Sequence, residues 1–319
     1  MIRQLCAAAL LAAASPLAAQ TAADEPAFSP DQMRAHVGFL ADDLLEGRDA
    51  GTRGYDIAAL YVASRFDALG LKPGGSKGWY QPIDFARARF RKDAPATITI
   101  GGTAFQNGVD VMMTAHAREP DQLLAADAVF VGYGLDSPTH GFDDYSGLDV
   151  RGKFVVLLSG VPEGRTSSEI AAHLGSEKAR MAERRGAVGV ITIPTRAFLA
   201  STPWKRLAGY SASSRYVWIG KDGKPWSAAP EIRATAYAHG PAAEALFAGA
   251  RMNLKRVLDA AARKGAMPRG FALKAPVRIE RHSMVEKISS ANVVGIIPGS
   301  DPELAKQVVM ITAHLDHDG

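Results

Sequence analysis

Apolar positions recur at helical spacing in two stretches near the start of the chain. In "SPDQMRAHVGFLADDLLEGR", residues 29–48, Met33, Val37, Leu40 and Leu44 share one face, with Ser29 placed to cap and Pro30 in the first turn. In "GTRGYDIAALYVASRFDALGLKPGG" the stripe is Ala58, Val62, Phe66 and Leu69, and Gly70 stands where a left-handed cap ends a helix. From about Gln81 the texture changes to short β-type runs divided by Gly, Pro and Asp: "ATITIGG", "ADAVFVGYG", "KFVVLLSG", "AVGVITIP", "YVWIG" and "IRATAYA". One helix, "SSEIAAHLGSEKARMAERRG", interrupts them. Another follows in "GPAAEALFAGARMNLKRVLDAAARKG", with Pro241 at its start and Gly265 at its end. Three strands are then expected, in "FALKAPVRIERHSMVEK", "SSANVVGIIPGS" and "QVVMITAHLD". The last two are nearly continuous apolar runs, the pattern of strands buried on both faces of an α/β sheet.

Composition changes this picture little. The 319 residues are 47% hydrophobic and 22% charged, an ordinary globular balance with room for two compact units. The formal charge of +4 is spread along the chain with no Lys/Arg block, which argues against nucleic acid as a partner. The beginning changes it more. One Arg, an apolar run from Leu5 to Ala14 and small residues near 17–20 read as a secretory signal over residues 1–20. The run is too short to span a bilayer, which takes about 20 apolar residues. Cys6, the only cysteine, falls inside that segment. The mature chain is therefore expected to carry no disulfide, no thiolate-bound zinc and no cysteine nucleophile, as an exported bacterial protein of the periplasm or the medium.

Candidate chemistry concentrates in "MITAHLDHDG". On a strand, His314 and Asp316 face the same way, because the side-chain period is two. An imidazole can bind zinc through one nitrogen while a carboxylate orients the ring through the other. The pair is thus suited to be a metal ligand and its orienting carboxylate, or else a polar strand end entering a loop. Residues 140–147, "HGFDDYSG", offer a histidine and two carboxylates but read better as a loop with Asp and Gly at turn positions. Trp204, Tyr210, Tyr216, Trp218 and Trp226 fit an aromatic ledge for peptide side chains or half-buried strand positions equally well. His36, His116, His173, His239 and His282 stand isolated. The chain has no Gly-x-Ser-x-Gly elbow and no Gly-rich phosphate loop, which disfavours serine-hydrolase and nucleotide-binding functions.

Residues 289–319, with an Asn-Val-hydrophobic-Gly strand followed by His-x-Asp-His, resemble a segment of the M28 family of zinc aminopeptidases. Residues 36–75, with Leu-Glu-Gly-Arg and Gly-Thr-x-Gly, resemble the opening of the same peptidases. Residues 129–164 and 177–194 resemble the protease-associated (PA) domain that many of them carry as an insertion. The resemblance implies a zinc-peptidase (phosphorylase/hydrolase-like) α/β sheet with an inserted β-rich PA domain. It further implies a site of two zinc ions whose bridging hydroxide attacks the amide, with a glutamate as general base. Carried over by position, His314 matches the first zinc-ligand histidine and Asp316 the aspartate that orients it. His317 and Asp318 receive no role, and the remaining ligands and the general base find no match before Gly319. The expected organisation is a signal at 1–20, peptidase helices at 27–84, a PA-type insertion at 85–270 and the first strands of an incomplete catalytic domain at 271–319. On this reading the longer protein is an exported aminopeptidase acting on peptides, and the 319 residues are a truncated part without activity of their own. Carboxypeptidases and glutaminyl cyclases share the fold. The contrasting expectation is a non-catalytic protein whose PA module binds peptides or proteins.

Overall fold

A computed structural model describes residues 29–317. The expected signal sequence with Cys6 lies outside the described residues, as do Asp318 and Gly319. The chain divides into two units, one formed by the residues up to Ala58 together with those from Thr312, the other by residues 59–311. Among the described residues no helix is long and apolar enough to cross a membrane.

In the smaller unit, the first helix runs Pro30–Leu40, and the Ser29 hydroxyl accepts the Gln32 N–H at 3.3 Å. It stops before Leu44 because Asp42 takes extended geometry and its carboxylate accepts the Leu44 N–H at 2.9 Å, starting a 3-10 turn over Asp43–Arg48. The expected apolar face does not become core: no residue of the helix is buried, and Met33, Val37 and Leu44 are exposed. The second helix, Arg53–Ala68, begins in this unit and continues into the other; of its expected stripe Val62 and Phe66 are partly buried, and Leu69 is exposed. Ala58 is buried, and Gly70 takes a left-handed φ of 76° while the Leu71 N–H returns to the Phe66 carbonyl at 3.0 Å.

The larger unit is mixed α/β and holds two six-stranded sheets. In the first, Ala128–Phe130, Phe154–Leu158, Gly189–Ile193 and Ala234–Ala238 are parallel neighbours, flanked by antiparallel Phe271–Ala272 and Val111–Met112. Every residue of Phe154–Leu158 is buried, as a central parallel strand covered on both faces requires. The second sheet is antiparallel and built around one long strand, Val277–Val293. Its first part lies between Thr97–Ile100 and Asp121–Ala126, and its second part pairs with Tyr80–Phe90. Arg215–Trp218 extends Tyr80–Phe90 as an outer strand. Residues of both sheets share a single hydrophobic core, from Ile98 and Ile279 to Phe154 and Ile191. Within it Phe130 meets Phe247 and Phe271 at ring separations of 5.4 and 5.3 Å.

Four expectations need correction. The helix expected over 167–186 is two, Ser168–Ser176 and Lys178–Arg184, joined at Glu177 so that Lys178 turns inward. That over 240–265 is also two, Gly240–Leu246 and Leu254–Ala261. Gly249 with φ 65° breaks the run, and the Asn253 side chain restarts it by accepting the Arg256 N–H at 3.0 Å. The strands expected in 271–287 and 289–300 are largely one antiparallel strand whose later residues stay partly exposed, since Tyr80–Phe90 is their partner there instead of parallel neighbours on both sides. Residues 307–317 form no strand, and Val308, Val309, Met310 and Ile311 are exposed; without a neighbour to take up backbone hydrogen bonds, an apolar run does not become a strand.

Candidate functional site

The His314 ring is solvent-exposed, and its Nδ1 lies 2.8 Å from the Asp316 backbone oxygen and 3.8 Å from the Asp316 carboxylate. An Nδ1–H donated to that carbonyl leaves the lone pair on Nε2, the nitrogen a metal would use. The His317 N–H donates to the Arg48 carbonyl at 3.2 Å. Arg48 ends a turn in which Glu46, Gly47 and Arg48 all have positive φ, of 49°, 73° and 58°. Two such residues other than glycine in one turn store backbone strain. The turn is held by close packing behind it: a Cβ on Gly54 would lie 1.8 Å from the Leu45 carbonyl oxygen. The Leu-Glu-Gly-Arg and His-x-Asp-His segments, far apart in sequence, therefore meet in one unit.

These residues do not by themselves fit a zinc ion. Among the described residues there is no group of three or more His, Cys, Asp or Glu that could hold a metal. His314 supplies one imidazole, where a zinc site takes three or four protein ligands.

Further charged groups are buried in the larger unit. Lys178 donates to the carbonyl of Leu158, at 2.8 Å, and to that of Gly160. It lines a cavity of about 290 Å³ beside the carboxyl ends of the parallel strands, with Ser159, Thr192 and Tyr237. Burial pulls its pKa down to about 7, against the opposing pull of Asp144. Burial pushes Asp144 up to about 6, although its carboxylate accepts the Leu135 N–H at 3.0 Å. Asp144 belongs to the "HGFDDYSG" stretch, expected as a surface loop; its Phe142–Asp143 pairs as a short strand with Asp136–Ser137, turn residues follow, and Phe142 and Tyr145 are buried. His140 bonds to Ser137 at 2.8 Å, Asp143 stands 3.8 Å from Arg185, and Phe142 and Tyr145 anchor the turn in the core.

The five aromatic residues do not form one ledge; three of them stack in two separate pairs. Trp204 stacks on His239 at 4.8 Å, and Trp218 on Trp226 at 5.8 Å with the rings 23° apart. The second pair borders a cavity of about 450 Å³ whose wall includes Arg118, Arg215, Arg233, Arg281 and His116. Burial, followed by the Arg281 charge, lowers the His116 pKa to about 4. Sequence pattern does not single out Lys178 or Arg281, whose neighbours along the chain are polar and charged; Asp144 lies in the "HGFDDYSG" stretch that the sequence does bring forward.

No protein-family model matches the chain, and no curated protein does. Solved structures matched by the chain include an aminopeptidase from Aneurinibacillus sp. strain AM-1, 18% identical, covering 86% of this chain and 49% of that one, with a TM-score of 0.42. A peptidase M28 precursor from Shewanella amazonensis SB2B is 14% identical over 82% of this chain and 51% of its own, with a TM-score of 0.34. BSAP, a zinc aminopeptidase from Bacillus subtilis, is 16% identical over 87% and 49%, with a TM-score of 0.33. The chain spans about half the length of these structures. Similarity at this level assigns no residue a role.

Proposed function

We propose that these residues contribute to an exported M28-type zinc aminopeptidase, with His314 as a zinc ligand and a PA-type module over about 85–270. The observation that supports this most directly is the meeting of the two motif segments, with the His317 N–H on the Arg48 carbonyl at the end of a strained turn. A backbone held in sparsely populated geometry next to a ligand-type histidine is a recurrent mark of functional sites. The exposed His314 ring, with Nδ1 engaged and Nε2 free to coordinate, agrees with the ligand role. Among the described residues no group of three or more His, Cys, Asp or Glu gathers around His314.

The test is expression of the whole reading frame that contains these residues, with zinc content and hydrolysis of leucine p-nitroanilide measured beside His314→Ala. The expected result is hydrolysis that a chelator removes and zinc restores, reduced about 100-fold or more in the variant. The 319 residues alone are expected to bind zinc weakly and turn over no substrate. An active, zinc-loaded 319-residue chain, or full activity in His314→Ala, would overturn the reading.

A further inference from the structure

The cavity beside Trp218 and Trp226 has the composition of a binding site for an organic anion. Four arginines and no carboxylate line it. Arg233 has its own counter-charge, Glu119, with Nε to carboxylate at 3.1 Å. Arg281 makes no ion pair of its own: it is 1% exposed, its two Nη groups donate to the Thr114 and Arg233 carbonyls at 3.0 and 2.9 Å, its Nε has no partner, and the carboxylate whose charge acts on it, Glu119, is bonded to Arg233. A buried guanidinium that shares one carboxylate with a second arginine and makes no direct ion pair leaves part of its desolvation cost unanswered, and an anion in the adjoining cavity would offset it. Arg118 and Arg215, both exposed, bring further positive charge to the wall, and Arg118 fastens the rim by donating to the Pro225 carbonyl at 3.0 Å. The His116 Nδ1 accepts the Glu119 N–H at 3.1 Å, which puts the ring proton on Nε2 and makes that nitrogen a donor.

The rest of the wall sets the body of the ligand. Trp218 and Trp226 lie on a hairpin closed by the Trp226 N–H on the Trp218 carbonyl at 2.9 Å, and both remain exposed, at 43% and 46%. Large flat apolar surface next to clustered guanidinium groups suits a ring that ends in an oxyanion. The volume falls within the range of about 300–1,000 Å³ common for small-molecule sites.

We propose that this cavity binds a small aromatic oxyanion, with the ring against the Trp218–Trp226 pair and the anionic end toward Arg281, Arg215 and His116. The site lies wholly within the larger unit and does not depend on the peptidase reading. Carboxylate and phosphate share the required chemistry, so both are probed.

The experiment is calorimetric titration of the 319-residue chain, with tryptophan fluorescence alongside, using N-acetyl-phenylalanine, phenyl phosphate and the neutral N-acetyl-phenylalaninamide. At least one anion is expected to bind below about 10 mM, and the tighter of the two identifies the oxyanion. The amide should bind at least about tenfold more weakly, the worth of one charge-assisted hydrogen bond. Arg215→Gln and Trp218→Ala, both exposed outer-strand positions, should each weaken anion binding about tenfold while leaving the circular dichroism spectrum unchanged. Failure of both anions to bind, equal binding of the amide, or unchanged affinity in both variants overturns the proposal.

Discussion

Lys178 shows how much a single buried side chain can govern. Its pKa falls from 10.5 to about 7 on folding, so between those values the unfolded chain holds a proton that the folded chain has released. Stability should therefore rise with pH through this window, by up to about 1.4 kcal/mol per unit. The rise should show most clearly between about pH 7 and 9.5, since Tyr133, Tyr145 and Tyr237, whose pKa values burial raises, oppose it at higher pH. Urea melts across that range should show the slope in the natural chain and lose it in Lys178→Met; equal slopes would mean the amine stays charged in the fold. In acid two groups work against each other. Asp144, raised to about 6, withdraws stability as pH climbs from 3.8 to 6, while His116, lowered to about 4, adds stability as pH climbs from 4 to 6.5. Gly54→Ala should cost roughly 3 kcal/mol or more in thermal melts, because its Cβ would meet backbone and not a movable side chain. His314 and Asp316 could be put forward from the sequence because their spacing and motif are local. Lys178 and Arg281 could not, since burial is created by strands distant along the chain.

At the level of elements, local signals worked where the chain's own neighbours supply the hydrogen bonds. Ser29 and Gly70 bound their helices as the sequence pattern indicates. The Ser168–Ser176 and Lys178–Arg184 helices were expected as one because apolar spacing continues through Glu177, although the backbone turns there. Asn253 opens the helix Leu254–Ala261, and Asn253→Ala should lower stability by about 1 kcal/mol, read as a drop in thermal midpoint, with Asn253→Ser restoring most of it. A variant melting with the natural chain would show that the helix is held by Leu254 and Val257 in the core alone. The strand expected over 307–316 failed for the opposite reason. Its residues have strand composition, but a strand exists through its neighbours, and these residues have none to pair with among the described ones.

At the scale of the molecule, the parallel and antiparallel sheets draw on one core, so they should lose structure together. Ile98→Ala, at a position with no exposed surface in the antiparallel sheet, should destabilise the chain by about 2–5 kcal/mol. Hydrogen exchange under global opening should then quicken alike in Thr97–Ile100 and in Phe154–Leu158; acceleration confined to the first would show two independent cores. By itself the sequence determined the caps at Ser29 and Gly70 and the short β runs of the middle region, because these depend on contacts a few residues apart. Only the tertiary structure decided that Val277–Val293 is one strand shared between several partners, that Met33 and Val37 stay exposed, and that the Arg48 turn meets His317. It also decided that four arginines converge beside two tryptophans. Each of these depends on which distant segments come together, and local apolar periodicity carries no information about that.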